Sequence, residues 1–311
     1  MLKPIDKEVE FKDKFVERYK TLTDWEVFKK YSLSYLRKSI RVNTLKIGVK
    51  ELTERLADRF LLDPIPWCPE GFWIEHKEGR LDIGNTIEHC LGYYYCQEAA
   101  SMIPPMVLAP QHGEVVLDMA AAPGSKTTQI AQMLWNTGLL IANDITSDRL
   151  AALGINLQRC GVTNTLTTQM PGQRLQGVEF DRILVDAPCS GTGTIRKSLK
   201  TLLLWNPAMV TRLTVTQSKM LDTAFSLLKK GGTMVYSTCS NEPEEDEGVV
   251  SAFLDRHENA KLVPIDLPLK RTTPFTEWEG TKYREEVKHC LRLWPQDNDT
   301  EGFFVTKITK C

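Results

Sequence analysis

Val115-Val116-Leu117-Asp118-Met119-Ala120-Ala121-Ala122-Pro123-Gly124-Ser125-Lys126-Thr127 reads as a buried strand, a turn of small residues and the start of a helix that runs through Leu134. Small residues let the backbone approach a ligand closely. The helix start offers free N–H groups and positive potential. The turn has neither the Gly-x-Gly-x-x-Gly dinucleotide fingerprint nor the phosphate-loop pattern. The next strand, Leu139-Leu140-Ile141-Ala142-Asn143-Asp144, ends on an acid 20 residues after Gly124. An acid there can hold a pair of ribose hydroxyls. A nucleoside cofactor without a diphosphate fits this pattern, and S-adenosylmethionine is one such molecule. A tight turn beside a solvated Asp is the plainer alternative.

Working outward, Gln97 to Leu108 reads as a helix, and so does Ser147 to Cys160, with Ser147 as N-cap. Thr165 to Thr168 and Phe180 to Val185 read as strands. Pro207 to Leu228 is a long helix that Gly231-Gly232 ends, Thr233 to Ser237 a strand, and Pro243 to His257 a helix opened by acids. Strands alternating with helices predict an α/β fold with a doubly wound, mostly parallel sheet. Val287 to Leu293 and Gly302 to Ile308 read as an antiparallel hairpin at the sheet edge, joined by the polar loop Pro295 to Glu301. The first 95 residues differ. They combine an amphipathic start (Val9 to Tyr35), short strands at Ser39 to Leu45 and Gly71 to Ile74, and a Pro/Trp-rich loop from Asp63 to Pro69. We therefore expect a small α+β domain over residues 1–95 and a larger domain over residues 96–311.

The 311 residues allow one large domain or two smaller ones. A composition 42% hydrophobic and 25% charged is ordinary for a globular protein. The net charge of −1 means that any basic surface must be local. No apolar run approaches the roughly 20 residues of a membrane span. The start Met1-Leu2-Lys3-Pro4-Ile5-Asp6-Lys7 lacks a signal-peptide stretch, so an intracellular, cytoplasmic protein is expected.

Of eight cysteines, none forms a C-x-x-C pair and none has a His at zinc-ligand spacing, so no metal is expected. Cys68, Cys90, Cys96, Cys160 and Cys290 read as small buried hydrophobes. Cys189 and Cys239 stand apart. Cys189 lies in Asp186-Ala187-Pro188-Cys189-Ser190-Gly191-Thr192-Gly193 and Cys239 in Ser237-Thr238-Cys239-Ser240, each directly after a strand-like run. In an open α/β sheet, catalytic groups gather outside the carboxyl ends of the strands. Two thiols there, 50 residues apart in sequence, point to covalent chemistry.

These segments resemble the RNA cytosine-C5 methyltransferases of the Nol1/Nop2/Sun family, and among them the archaeal-type tRNA members. The likeness rests on Ala120 to Thr127, Asn143-Asp144, Asp186 to Gly193 and Ser237 to Ser240, with Ser39-Ile40-Arg41-Val42-Asn43-Thr44-Leu45-Lys46 and Gly302-Phe303-Phe304 at the two ends. The resemblance implies a Rossmann-like class I methyltransferase domain, a small RNA-binding domain before it and S-adenosylmethionine as cofactor. It implies that Cys239 is the nucleophile and that Cys189 assists release of the product. Asp186 would contact the cytosine and the methionine end of the cofactor, and Lys126 would reach into the site. Ala120, Ala121, Ala122, Pro123, Gly124, Ser125 and Lys126 would line the cofactor, with Asp144 and Arg149 on its ribose. The chain departs from the family where an acid after the third strand contacts the adenine amino group. Pro171 stands there, in Gln169-Met170-Pro171-Gly172. A backbone carbonyl or Gln169 can substitute.

Lys29 to Lys46 holds six basic residues and no acid, interleaved with Phe28, Tyr31 and Tyr35. Basic side chains engage phosphates and aromatic faces stack on splayed bases. Lys30, Arg37, Lys38, Arg41, Asn43 and Lys46 are the candidate RNA contacts, and Arg196, Lys197 and Lys200 form a second group. An amphipathic helix with a solvated basic face is the alternative. Glu242, Glu244, Glu245, Asp246 and Glu247 read as acids favoured at a helix N-terminus, and Trp205 as a packing residue. The expected partner is RNA, tRNA ahead of ribosomal RNA, with no membrane partner. DNA methylation is a weaker rival, because those enzymes use a Pro-Cys-Gln turn where this chain has Pro188-Cys189-Ser190. A non-catalytic RNA-binding factor on the same fold is the other rival. The sequence names no target nucleotide, helper protein or oligomeric state.

Overall fold

The computed structural model describes residues 9–80 and 82–311. The stretch Met1 to Lys7, where no signal peptide is expected from the sequence, lies outside them. The described chain opens with helices α1 (Asp13–Leu22) and α2 (Trp25–Ser32). The amphipathic start is thus two helices, because Asp24 breaks the run and caps α2 by accepting from the N–H groups of Glu26 and Val27. Their aromatic faces (Phe15, Tyr19, Trp25 and Phe28) pack with Trp205 and Trp294 from the far end of the chain. Trp205 is a packing residue, as expected.

Four strands follow, β1 (Ser39–Val42), β2 (Phe60–Pro64), β3 (Gly71–His76) and β4 (Tyr94–Cys96), with helices α3 (Val49–Leu56) and α4 (Ile87–Cys90). They form an antiparallel sheet in the order β2-β3-β1-β4.

The large sheet comprises β5 (Val115–Asp118), β6 (Leu139–Asp144), β7 (Thr165–Gln169), β8 (Phe180–Asp186), β9 (Leu228–Thr238) and β10 (Ala260–Val263), then, beyond the small ribbon β11 (Glu277–Trp278) and β12 (Thr281–Lys282), β13 (Leu291–Leu293) and β14 (Phe303–Lys310). Its order is β10-β14-β9-β8-β5-β6-β7, with β13 paired to β14. Pairings from β7 to β9 are parallel, and those of β14 are antiparallel. The helices are α5 (Ile103–Leu108), α6 (Ser125–Met133), α7 (Ser147–Cys160), α8 (Lys200–Leu204), α9 (Pro207–Leu227), α10 (Val249–Arg256) and α11 (Pro295–Asn298).

Alternate strand residues face opposite cores, the pattern of a parallel sheet covered on both faces. Leu117, Ile183, Val185 and Tyr236 join one core with Leu221, Phe225 and Phe253. Val116, Leu184 and Val235 join the other with Ile103, Ile130 and Leu140. The doubly wound, Rossmann-like reading holds.

Four local readings are corrected. The hairpin does not lie at the edge, because β14 sits inside the sheet between β9 and β10. The expected helix from Gln97 starts as a short 3-10 turn at Ala100–Met102, and α5 then opens on Pro104 and Pro105. Thr146, rather than Ser147, takes the N-cap position of α7. Cys90, expected buried, is exposed at the end of α4. Among the described residues no helix is long and apolar enough to cross a membrane.

Candidate active site

Parallel register between β8 and β9 sets Asp186 beside Ser237. Each strand then runs directly into a cysteine loop. Ser237 Oγ donates to Asp186 Oδ1 at 2.8 Å, and the Ala187 N–H to the Ser237 carbonyl at 2.9 Å. The Sγ atoms of Cys189 and Cys239 come to 3.2 Å, both as free thiols. The Gly193 N–H donates to the Cys239 carbonyl at 2.9 Å, and a Cβ on Gly193 would lie 2.1 Å from the Gly302 carbonyl oxygen. Only glycine allows the two loops and the start of β14 to pack this closely.

Lys126 enters from the first turn of α6. Its Nζ donates to Asp186 Oδ2 at 2.7 Å and lies 5.4 Å from the Phe303 ring centroid. Burial pulls the Lys126 ammonium down, but the charge and hydrogen bond of Asp186 outweigh it, so its pKa is raised. The hydrogen bond to Cys239, then burial, push Cys189 well above the ordinary thiol range. The two sulfurs share one hydrogen bond, in which either thiol can be the donor. Lys126, Asp186, Cys189 and Cys239 thus share one site at the carboxyl ends of β8 and β9.

The cofactor end of the sheet is adjacent. Gly124 begins α6 at φ +107°, and an added Cβ would meet Leu153 at 2.8 Å. Ala120 to Ser125 wrap the end of β5. Asp144 Oδ2 accepts the Ala122 N–H at 2.9 Å, and its Oδ1 accepts Ile145 N–H and Arg149 Nε, each at 2.8 Å. Arg149 also donates to the Ala122 carbonyl at 2.8 Å. Asp118 is buried at the end of β5. Its Oδ2 accepts from Thr127 at 2.7 Å, while its Oδ1 has no partner. Burial pushes the Asp118 carboxyl up to about 7. An unpartnered carboxylate oxygen, a helix start and an acid with free lone pairs fit a cationic nucleoside such as S-adenosylmethionine. At the departure point, the Met170 N–H donates to the Asp144 carbonyl at 3.1 Å, and Pro171 leads into the turn Gly172–Arg174.

The candidate RNA contacts divide. Lys30, Arg37, Lys38 and Lys46 are exposed, as are Lys197 and Lys200. Arg37 is partly engaged, with Asp63 at 2.7 Å and the Trp73 ring centroid at 4.1 Å. Lys46 donates to the carbonyls of Leu91 and Arg159 at 2.9 and 2.8 Å, next to the end of α7. Arg41, at 1% exposure, is a correction. Its guanidinium is enclosed by Gln97, the Ser125 carbonyl, Thr128 and Gln132, so it ties β1 to α6 and cannot reach a phosphate. Asn43 is corrected likewise, because it is buried and donates to the carbonyls of Gly92 and Cys160, each at 2.8 Å. Arg196 is buried against Ser34, the carbonyls of Tyr35 and Thr300, and Asp299.

The acidic cluster is not a solvated helix start. Glu242, Glu245, Asp246 and Glu247 are fully buried. Residues Glu244–Gly248 form a wide π-helical turn ahead of α10. Glu242 accepts from Tyr19 and Trp205, each at 2.9 Å, and pairs with Arg18. Asp246 and Glu247 hold the buried Arg292. Glu245 lies behind the two cysteine loops and was missed as a site residue, because only Ser240 among its partners is near in sequence.

A model of the 16S rRNA methyltransferase RsmB/F family matches residues 105–309, and one of the N-terminal domain of 16S rRNA methyltransferase RsmF matches residues 11–99. The chain is 48% identical to a tRNA (cytosine(49)-C(5))-methyltransferase of Pyrococcus abyssi, over 98% of its own length and 99% of that protein. It is 42% identical to ribosomal RNA small subunit methyltransferase F of Vibrio cholerae over 88% of its length, and spans 58% of that protein. A solved methyltransferase homolog protein from Pyrococcus horikoshii superposes with a TM-score of 0.86 at 37% identity, covering 97% of this chain and 96% of that one. NSun6 from the same organism, solved with SFG, superposes with a TM-score of 0.81 at 25% identity, covering 96% and 98%.

Proposed function

The chain belongs to the RsmB/F family of S-adenosylmethionine-dependent RNA methyltransferases, and from that premise we propose that it methylates C5 of cytosine in tRNA through a covalent bond between Cys239 and C6. The single observation that carries the covalent route is the pair of thiols 3.2 Å apart beside the Lys126–Asp186 ion pair.

Cytosine C5 is a poor nucleophile. Addition of the Cys239 sulfur at C6 makes the ring enamine-like, so one hard step becomes two easier ones. S-adenosylmethionine supplies an electrophilic methyl group on a sulfonium. Asp186, braced by Lys126 and Ser237, holds the edge of the base. The Lys126 ammonium steadies negative charge as it develops in the pocket. The methylated C5 then gives up its proton to solvent water, the C5–H electron pair restores the C5–C6 double bond, and the C6–S bond breaks to release Cys239 as a thiolate. The Cys189 S–H, 3.2 Å from that sulfur, can donate to it as it departs. The target base must be unstacked or flipped, since C5 and C6 are not open to attack within a stack. Ala120 to Ser125, Asp144 and Arg149 hold the nucleoside of the cofactor, and exposed Lys30, Arg37 and Lys38 meet the RNA backbone.

The tRNA preference draws support from the Pyrococcus abyssi relative, which the chain matches over nearly its whole length. The test is transfer of a tritiated methyl group to unmodified tRNA and rRNA transcripts by wild type, Cys239→Ala and Cys189→Ala. We expect labelled 5-methylcytosine in tRNA from wild type, none from Cys239→Ala, and Cys189→Ala trapped on RNA. Label in rRNA alone would move the substrate class. Transfer by Cys239→Ala at the wild-type rate would sink the covalent assignment. Absence of both transfer and cofactor binding would promote the RNA-binding rival.

A further inference from the structure

Cys189 and Cys239 sit on separate loops that no covalent link joins, yet their sulfurs meet at 3.2 Å. Something must hold the loops in register. The residue after each cysteine is a serine, and both serines point at one carboxylate. The Ser190 N–H donates to Glu245 Oε1 at 2.9 Å, and the Ser190 hydroxyl donates to Oε2. The Ser240 hydroxyl donates to the same Oε2 at 2.6 Å. Gln217 on α9 donates to Glu245 Oε1 at 3.0 Å and to the Pro188 carbonyl at 2.9 Å, which fixes the residue before Cys189 as well. The Ser190 N–H and the Gln217 amide can only donate to Oε1, while the two hydroxyls on Oε2 can donate or accept. Burial raises the Glu245 pKa, and the hydrogen bonds from Ser190, Ser240 and Gln217 oppose it.

The backbone of Glu245 is itself pinned, because its carbonyl accepts from the buried Tyr236 hydroxyl at 2.6 Å. It lies on the π-helical turn Glu244–Gly248. Such single wide turns occur often at functional sites, and they re-aim a side chain that a regular helix would place elsewhere. Here the turn sends Glu245 beneath the two loops.

We propose that Glu245 is a positioning residue that clamps the two cysteine loops together and so sets the approach of Cys189 to the Cys239 sulfur. The proposal rests on the roles given above to the two thiols. Glu245 is fully buried. It acts through Ser190 and Ser240. The loops also touch directly, through Gly193 N–H to the Cys239 carbonyl and the Ser190–Ser240 hydroxyl pair at 3.0 Å, and Glu245 adds a shared anchor at the residue next to each cysteine. The Cys239 hydrogen bond, then burial, then the Cys239 charge raise the Cys189 pKa, and Glu245 adds a smaller push in the same direction.

The experiment compares wild type, Glu245→Gln and Ser240→Ala, each with the exposed Cys90 and Cys311 changed to Ser. Two readouts are independent of one another. Dibromobimane, which fluoresces when both arms have taken up thiols, reports Cys189–Cys239 proximity without RNA. Methyl transfer and trapped protein–RNA adduct report the reaction. For Glu245→Gln we expect cross-link yield to fall several-fold and kcat to fall roughly 10-fold or more. KM for cofactor and RNA should stay at wild-type values, and the share of enzyme trapped on RNA should rise. A merely structural role would lower melting temperature and leave kcat per folded molecule and the trapped share unchanged, and that result would overturn the proposal. Wild-type cross-linking in Glu245→Gln would overturn it too. Should Glu245→Gln fail to fold, Ser240→Ala decides. It keeps the carboxylate and removes one donor, so the same two changes should appear at smaller size, and their absence counts against the clamp. If wild type itself methylates no RNA, the functional reading falls, and the cross-link yields still judge the clamp.

Discussion

The loops after β8 and β9 and the segment Ser39 to Lys46 both carry motif-like polar residues, yet the structure uses them in opposite ways. At the first, Asp186, Cys189 and Cys239 are partly open and gather with Lys126 at the carboxyl ends of β8 and β9. At the second, Arg41 and Asn43 are sealed under β1 and spend their hydrogen bonds on the fold. Residue type suggested ligand contacts in both places. What separates them is where the backbone ends. In the parallel sheet a strand's carboxyl end opens on a crevice, whereas Arg41 lies within β1 between β3 and β4, and Asn43, just past β1, is closed over by the carbonyls of Gly92 and Cys160. A charged residue in a strand's middle is therefore first a candidate for holding elements together.

The comparison is broken most directly at the first region. Cys239→Ala should reduce methyl transfer by roughly 10⁴-fold or more, as losing a covalent nucleophile does. Thermal stability should stay near wild type, since Cys239 is only partly buried. Tritium transfer and a melting curve on the same preparation check this. A large loss of stability with modest loss of rate would place Cys239 with the structural residues.

Arg41→Ala should show the reverse. It strips a buried guanidinium from Gln97, Thr128, Gln132 and the Ser125 carbonyl. The expected cost is about 3–5 kcal/mol, because buried partners are left unpaired. Urea unfolding measures it. RNA affinity of the folded fraction should be unchanged. A selective loss of RNA binding would return Arg41 to the contact group.

How much of this was legible follows from the same physics. Arg182-Ile183-Leu184-Val185 and Thr233-Met234-Val235-Tyr236 announce themselves, because parallel strands buried on both faces are apolar at consecutive positions. The two cysteines follow those strands directly, so their convergence could be read before any coordinates. β10, only four residues long with Lys261 in it, gave no such run. Glu245 was invisible for another reason. Of its donor residues only Ser240 is local, five residues before it, while Ser190 and Gln217 lie 55 and 28 residues away. Nothing local separates it from Glu244, which faces Arg18 instead. Burial of a charged residue by remote partners leaves no periodic trace in the sequence.

Asp118 sharpens the contrast from within the catalytic end. The carboxyl is raised from 3.8 to about 7 by burial, with the Thr127 hydrogen bond opposing. Between these values the folded protein holds a proton that the unfolded chain has lost. Stability should therefore fall as pH rises through that window and level off above it. Asp118→Asn should flatten this fall. Urea midpoints for both proteins at pH 4.5 and 7.5 test it. Equal slopes would mean that Asp118 does not carry the burden. Where Arg41 stabilises, Asp118 is held at a cost, which suits a group waiting for a cationic partner.

The smallest expected effect separates the exposed basic residues from one another. Lys38→Ala should weaken RNA binding a few-fold and lower the salt dependence of affinity by roughly 0.7 to 0.9 in log–log slope, the yield of one phosphate contact. Arg37→Ala should change the slope less, because that guanidinium already pairs with Asp63 and lies over Trp73 in the free protein. Part of its charge is neutralised before RNA arrives, so fewer counterions are released when it binds. Arg37→Ala combined with Asp63→Ala should then match Arg37→Ala alone in slope, while Asp63→Ala alone should steepen it by freeing Arg37. Binding titrations at four salt concentrations resolve these differences. Identical slopes for Lys38→Ala and wild type would show that this basic surface, like the buried Arg41, serves the fold rather than the RNA.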